Sequence, residues 1–137
     1  MTQRKVYVAL AADLLHHGHM NVLTKAANLG DVTVGLLTDE AIAQYRRLPY
    51  LAFEHRKLIV ERLKGVVEVL PQTSMDYTEN LEKLKPDYVV HGDDWRSGVL
   101  ARTRANVVRL LESWGGELVE VPYTNGISST NLNKALK

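Results

Sequence analysis

The sequence predicts an α/β domain on a five-stranded, mostly parallel sheet, from three observations. Five short apolar runs are separated by segments of helical periodicity, the alternation that builds parallel sheets. The chain's three clusters of polar, chemistry-bearing residues each follow the carboxyl end of one of those runs. Its 137 residues suit one domain, here residues 1–137.

Val6 to Leu10 is a continuous apolar run of the kind a strand covered on both faces requires. Met20 to Leu29 carries apolar residues at Met20, Leu23, Ala26 and Ala27 and leads to Gly30, a helix stop. Asp31 to Leu37 is the second strand, read from Val32, Val34, Leu36 and Leu37. Thr38 to Pro49 opens on Asp39-Glu40 and ends on Arg46-Arg47 before Pro49, a short helix feeding a loop. Glu54 to Leu63 is helical, with Leu58, Ile59 and Leu63 on its apolar side. Val66 to Leu70 is the third strand, closed by Pro71, and Tyr77 to Leu84 a short helix ended by Pro86. Tyr88 to Val90 is a strand running into His91-Gly92-Asp93-Asp94-Trp95. Ala101 to Trp114 is amphipathic through Val107, Val108, Leu110 and Leu111, and Gly115-Gly116 stops it. Glu117 to Val121 is the last strand, and Thr130 to Leu136 suits a terminal helix.

Composition is that of an ordinary globular protein, 45% hydrophobic and 24% charged, with a formal charge of +1. Near-neutral charge without a basic stripe interleaved with aromatics argues against nucleic acid as a partner. With no cysteine, disulfides, thiolate nucleophiles and zinc-cysteine sites are excluded. No run approaches the ~20 apolar residues of a membrane span, and nothing reads as a signal peptide. The expected location is the cytoplasm, away from membranes.

The first polar cluster, Asp13-Leu14-Leu15-His16-His17-Gly18-His19, joins a strand to a helix. The first amides of a helix lack intrahelical partners and make an anion site. Histidines placed there add mobile protons and focused charge beside the anion, which points to chemistry on phosphate. The structural alternative has one imidazole capping the helix and the other exposed. His91, Asp93 and Asp94 add candidates for a mixed nitrogen and oxygen metal shell. One aspartate there suits Mg2+ through water, a ribose or a base edge, and the other a cap. Trp95 offers a flat surface for a base, or packs. Gly126-Ile127-Ser128-Ser129-Thr130 reads as an N-cap or a phosphate cradle. Arg46, Arg47, His55, Arg56 and Lys57 form a solvated basic face, or the neutralisation that transfer on a triphosphate needs. The first turn has only Gly18, so neither a dinucleotide fingerprint nor a Walker sequence is present. Open α/β sheets bind ligands outside their carboxyl ends, so the three clusters suit one composite site.

His16-x-Gly18-His19, Thr38-Asp39-Glu40, Glu54-His55-Arg56-Lys57, Gly92-Asp93-Asp94-Trp95 and Gly126 to Thr130 occur in that order. Together they resemble the cytidylyltransferase family, whose members activate small phosphorylated alcohols such as glycerol 3-phosphate with CTP and Mg2+. The resemblance implies a Rossmann-like nucleotidyltransferase fold with helices on both faces, and usually a homodimer. It implies in-line attack without a covalent enzyme intermediate, with His16 and His19 stabilising the transition state at the α-phosphorus. Lys25 and Arg56 match positions that are basic in the family, and the resemblance adds them to the catalytic set. It places Ala9, Ala11, Asp13, Leu14 and Gly18 around the nucleotide, with Asp13 also toward the metal. His91, Gly92, Asp94, Trp95, Tyr123, Ile127 and Ser128 join that set, with Ser129 and Thr130 on the β and γ phosphates.

A narrower resemblance lies in Ala11 to His19, Arg47 to Leu51 and Tyr123 to Thr130. These stretches are similar to the cytidylyltransferase domain of phosphonate biosynthesis, often fused to phosphoenolpyruvate mutase, and the tail Asn131 to Lys137 resembles the junction. The implied acceptor is 2-hydroxyethylphosphonate. His17 stands where glycerol-phosphate members have an aromatic residue, Tyr123 where they have a phosphate-binding arginine, and Asn125 where they have an acid. The alternatives are glycerol 3-phosphate or another phosphoalcohol as acceptor, ATP in place of CTP, and a non-catalytic nucleotide-binding module.

Overall fold

The computed structural model describes residues 4–44 and 48–122. Strand β1 (Lys5–Leu10) leads into helix α1 (His17–Leu29), which returns to β2 (Asp31–Leu37). Helices α2 (Asp39–Ala43) and α3 (Phe53–Glu61) precede β3 (Val66–Gln72), and α4 (Thr78–Leu84) precedes β4 (Tyr88–Gly92). Two short 3₁₀ turns and α5 (Ala101–Glu112) connect β4 to β5 (Glu117–Val121). All four strand pairs are parallel, in the order β3-β2-β1-β4-β5. The chain winds outward from β1 through β2 to β3, then crosses back to lay β4 on the other side of β1. The order therefore reverses between β1 and β4, and that crevice is where such sheets bind ligands.

Successive strand residues face opposite sides, and the core divides accordingly. Val6, Val8 and Leu10 join Val32, Val34, Leu36 and Val90 against Leu23 and Ala26 of α1 and Val60 of α3. Tyr7 and Val89 face the other way, packed with Tyr77, Leu81, Trp95, Val107 and Leu111. Helices thus cover both faces, as the continuous apolar runs require.

The fully buried Tyr7 hydroxyl donates to Gln72 Oε1 and accepts from Asn80 Nδ2. Burial pushes the phenol's pKa upward, with the Asn80 bond opposing. The phenol passes over β2 at Gly35, where a Cβ would lie 1.6 Å from its oxygen.

Two boundaries and one helix face depart from expectation. Helix α1 begins at His17 rather than Met20, because His16 is its N-cap. Pro71 lies inside β3, in register with Leu36, instead of closing it. The strand is at the sheet edge, where a missing N–H is tolerated. Helix α3 buries Arg56 and Val60, leaving Leu58 and Ile59 exposed at 57% and 42%.

Candidate active site at the β1–β4 crevice

The turn after β1 is held from several sides. Ala12, 3% exposed, adopts φ +57, a left-handed conformation that costs a non-glycine residue about 1–3 kcal/mol. Its neighbours are fixed by two anchors. The Ala11 carbonyl accepts from Arg56 Nη1 at 2.7 Å. The Asp13 carboxylate accepts from the Tyr50 and Leu51 amides, each at 3.0 Å.

The histidines follow as a capping box. His16, with extended backbone, accepts the Gly18 N–H at Nδ1 (3.1 Å), and His19 Nδ1 accepts the His16 N–H (3.2 Å). This is the reciprocal arrangement usually built from Ser/Thr and Glu/Gln, here made from two imidazoles whose centroids are 4.1 Å apart. A ring nitrogen that accepts carries no proton, so each neutral ring holds its proton on Nε2 as a donor. Burial, then the neighbouring His17, lowers the His16 pKa, which favours that neutral form. His17 itself is exposed. No acidic residue occupies the first turn of α1, so no carboxylate there offsets the positive pole of this 13-residue helix.

Across the crevice, His91 ends β4 with its Nδ1 against the Gly92 carbonyl at 2.7 Å. Its imidazole lies flat on Trp95, with centroids 3.6 Å apart and planes 5° apart. Burial lowers the His91 pKa, opposed by the Gly92 carbonyl and by the charges of Asp94 and Glu120. Asp94 Oδ1 is 4.0 Å from His91 Nδ1, with a 54% exposed side chain. Trp95, expected as a nucleotide contact or a packing residue, is 1% exposed within the core. The ring it offers the crevice is His91, lying on top of it.

The structure shows what surrounds three further expected site residues. Arg56 is fully buried and spends its guanidinium inside the fold. It donates to Leu51 O (2.9 Å), Ala11 O and Leu37 O (2.7 Å each) and Asp39 Oδ1 (2.6 Å). It joins the carboxyl ends of β1 and β2, and is a positioning residue. Lys25 is exposed on α1, eight residues beyond His17, roughly 12 Å along the helix axis at 1.5 Å per residue, away from the histidine turn. Asp13, expected to touch a metal, anchors the Tyr50–Leu51 loop. Among the described residues no group of three or more His, Cys, Asp or Glu side chains is arranged to hold a metal ion. The basic cluster also divides, since Lys57 pairs with Glu61 on α3 at 3.0 Å. Arg46, Arg47, Tyr123, Ile127, Ser128, Ser129 and Thr130 lie outside the described residues, as does the expected terminal helix.

Ala9, Ala11, Leu14, Gly18 and Gly92 are half-buried around the ends of β1 and β4. The sequence reading passed over Glu120 on β5. Its carboxylate accepts from Trp95 Nε1 (2.9 Å), Arg96 Nε (3.0 Å), and Arg104 Nε (3.0 Å) and Nη2 (2.9 Å). The Arg104 bonds, then those of Arg96 and Trp95, outweigh burial and hold its pKa at about 2. Glu120 shares a strand face with Leu118, which packs into the core. A charge at a core-facing strand position is the signal that marked it. No helix among the described residues is long and apolar enough to cross a membrane.

The model of the Cytidylyltransferase-like family matches residues 11–135. Glycerol-3-phosphate cytidylyltransferase of Bacillus spizizenii is 35% identical over 96% of this chain and 95% of its own length. Ethanolamine-phosphate cytidylyltransferase of Mus musculus is 36% identical over 88% of this chain and 29% of its own. Among solved structures, a lipopolysaccharide core biosynthesis protein from Thermoplasma volcanium superposes with a TM-score of 0.72. It covers 90% of this chain and 98% of that one at 21% identity, a likeness of fold.

Proposed function

The chain belongs to the cytidylyltransferase-like family, and from that premise we propose that it transfers CMP from CTP to a small alcohol bearing a phosphonate or phosphate, with 2-hydroxyethylphosphonate as the first candidate. An oxygen of the acceptor's anionic group attacks the α-phosphorus in line. The bond to the bridging oxygen breaks, and pyrophosphate leaves. The observation that carries this reading is the two-imidazole capping box at the head of α1, beside the crevice where the strand order reverses. It offers neutral N–H donors and an uncompensated helix pole to the charge that builds on the phosphoryl oxygens, and phosphoryl transfer is catalysed mainly by such positioning and electrostatics.

His16 and His19 are the catalytic pair of this proposal. His91, Gly92 and Asp94 line the nucleoside side, and Ser129 and Thr130 take the distal phosphates. Mg2+ enters with the triphosphate, held mainly by its oxygens. The acceptor assignment is supported by the exposed His17 and by Tyr123, which replace an aromatic residue and an arginine of the glycerol-phosphate pattern. Two copies pairing is supported by Leu58 and Ile59 of α3 and Val67 of β3, exposed at 57%, 42% and 67% on packed neighbouring elements. Light scattering tests that pairing, and a monodisperse monomer at micromolar concentration refutes it.

Pyrophosphate release with CTP tests the reaction against 2-hydroxyethylphosphonate, glycerol 3-phosphate and phosphocholine. Turnover confined to glycerol 3-phosphate removes the phosphonate assignment. CTP binding without turnover on any acceptor favours a non-catalytic module.

A further inference from the structure

We propose that Glu120 is a positioning residue of the nucleotide site, acting through Trp95 to hold the His91 imidazole at the crevice. The inference rests on reading the β1–β4 crevice as the CTP site. Glu120 and His91 are register partners on β5 and β4. The Glu120 side chain is 8% exposed and collects N–H donors from the turn after β4 and from α5. Such a buried carboxylate is tolerable because two guanidiniums and an indole satisfy it. The bond at Trp95 Nε1 anchors one edge of the indole and so helps to fix the plane of the ring. His91, stacked within 5° of parallel on that ring, takes its tilt from it. The imidazole is also held by the Gly92 carbonyl at 2.7 Å, one residue away on the same strand, with Asp94 Oδ1 at 4.0 Å. The clamp therefore reaches across the sheet to a side chain that Glu120 itself does not bond.

The test is Glu120→Gln in a Trp114→Phe background, where Trp95 is the one tryptophan left of the chain's two. Two readouts separate a positioning role from a staple that only stabilises. The first needs no ligand. A protonated imidazole quenches an indole stacked on it, so the pH titration of Trp95 emission follows His91. The charged groups facing His91 are Asp94 from the turn and Glu120 from β5. Removing the Glu120 charge lowers the emission midpoint by itself, so the clamp is read from the amplitude: the quenching step is expected to shrink by at least half as the imidazole leaves the indole face. The second readout is kinetic. The KM for CTP is expected to rise at least fivefold, with kcat and the acceptor KM within twofold.

An unchanged quenching amplitude and an unchanged KM for CTP, with only a lower unfolding midpoint, overturn the proposal. If the parent protein binds no CTP, the functional reading fails, while the emission titration still decides the clamp. If the Gln variant does not fold, Glu120→Asp keeps the charge while drawing the carboxylate back from Trp95 Nε1. It is expected to weaken the quenching step and to raise the KM for CTP, and no movement in either refutes the clamp.

Discussion

Replacing Arg56 by lysine distinguishes a residue that touches substrate from one that holds the turn. The guanidinium makes four hydrogen bonds to three separate backbone segments and Asp39. A lysine keeps the charge but carries its donors on one nitrogen, which cannot span Leu51, Ala11 and Leu37 together. About two bonds are lost. Hydrogen bonds to a charged group contribute about 1.5–3 kcal/mol each. The Asp39 arm contributes less, since that side chain is 39% exposed. The expected loss is about 3 kcal/mol, a large part of the roughly 5–15 kcal/mol that holds a domain together. Urea unfolding followed by far-UV circular dichroism measures it, with a midpoint about 1 M or more lower. Turnover is assayed at a temperature where the variant remains folded. A stability change under 1 kcal/mol with a hundredfold loss of turnover would show that Arg56 meets substrate, and would refute its placement as a positioning residue.

His16→Asn retains a good helix cap and His16→Ala does not. The Asn variant should match the parent in stability within about 0.5 kcal/mol, and the Ala variant should lose about 1 kcal/mol. Both should lose most pyrophosphate release, whereas an active Asn variant would remove the imidazole from the chemistry. Because His16 accepts at Nδ1 only when neutral and its pKa is lowered in the fold, its contribution is complete above the ordinary histidine value. That contribution is lost as pH falls through the lowered one, so the melting temperatures of parent and Ala variant should converge in acid. Gly35→Ala places a methyl 1.6 Å from the Tyr7 oxygen, and should cost about 2–3 kcal/mol of unfolding free energy as overpacking. A neutral result would mean that the phenol moves aside without loss. Glu120, held at about 2, contributes stability that is complete above its ordinary value of about 4.5 and lost as pH falls toward 2. The stability gap between parent and Glu120→Gln should therefore close in strong acid, as thermal melts across pH would show.

The strands were legible because a strand covered on both faces is apolar nearly throughout, as β1 is from Val6 to Leu10. The carboxyl-end clusters followed from strand direction, which parallel connections fix. Side-chain destinations were harder to read. In α3 the periodicity offered Leu58 and Ile59 as the inward side, yet the helix turns Arg56 inward, where four acceptors at the strand ends outweigh leucine burial. Charge usually reads as exposure, and a guanidinium with a full set of partners inverts that rule. Trp95 sits in a motif that reads as a ligand surface, but its apolar bulk is used by α5 and the imidazole takes the outer position. Asp13 stood next to the histidines in sequence, and only the fold brings Tyr50 and Leu51 to its carboxylate.

The hydroxyl of Tyr7 also bears on how the molecule assembles. Its two partners belong to the outermost strand β3 and to α4, so an intermediate strand is bridged without being bonded. Sliding β3 by one residue would turn Gln72 to the opposite side of the sheet and leave the phenol unsatisfied, a penalty of about 1–3 kcal/mol. The phenol therefore acts as a proofreader of alignment, rewarding only the one stacking of three strands that brings Gln72 and Asn80 together. It also ties the distal edge to the centre, so the half of the sheet carrying the histidine turn is completed only when its far margin has docked.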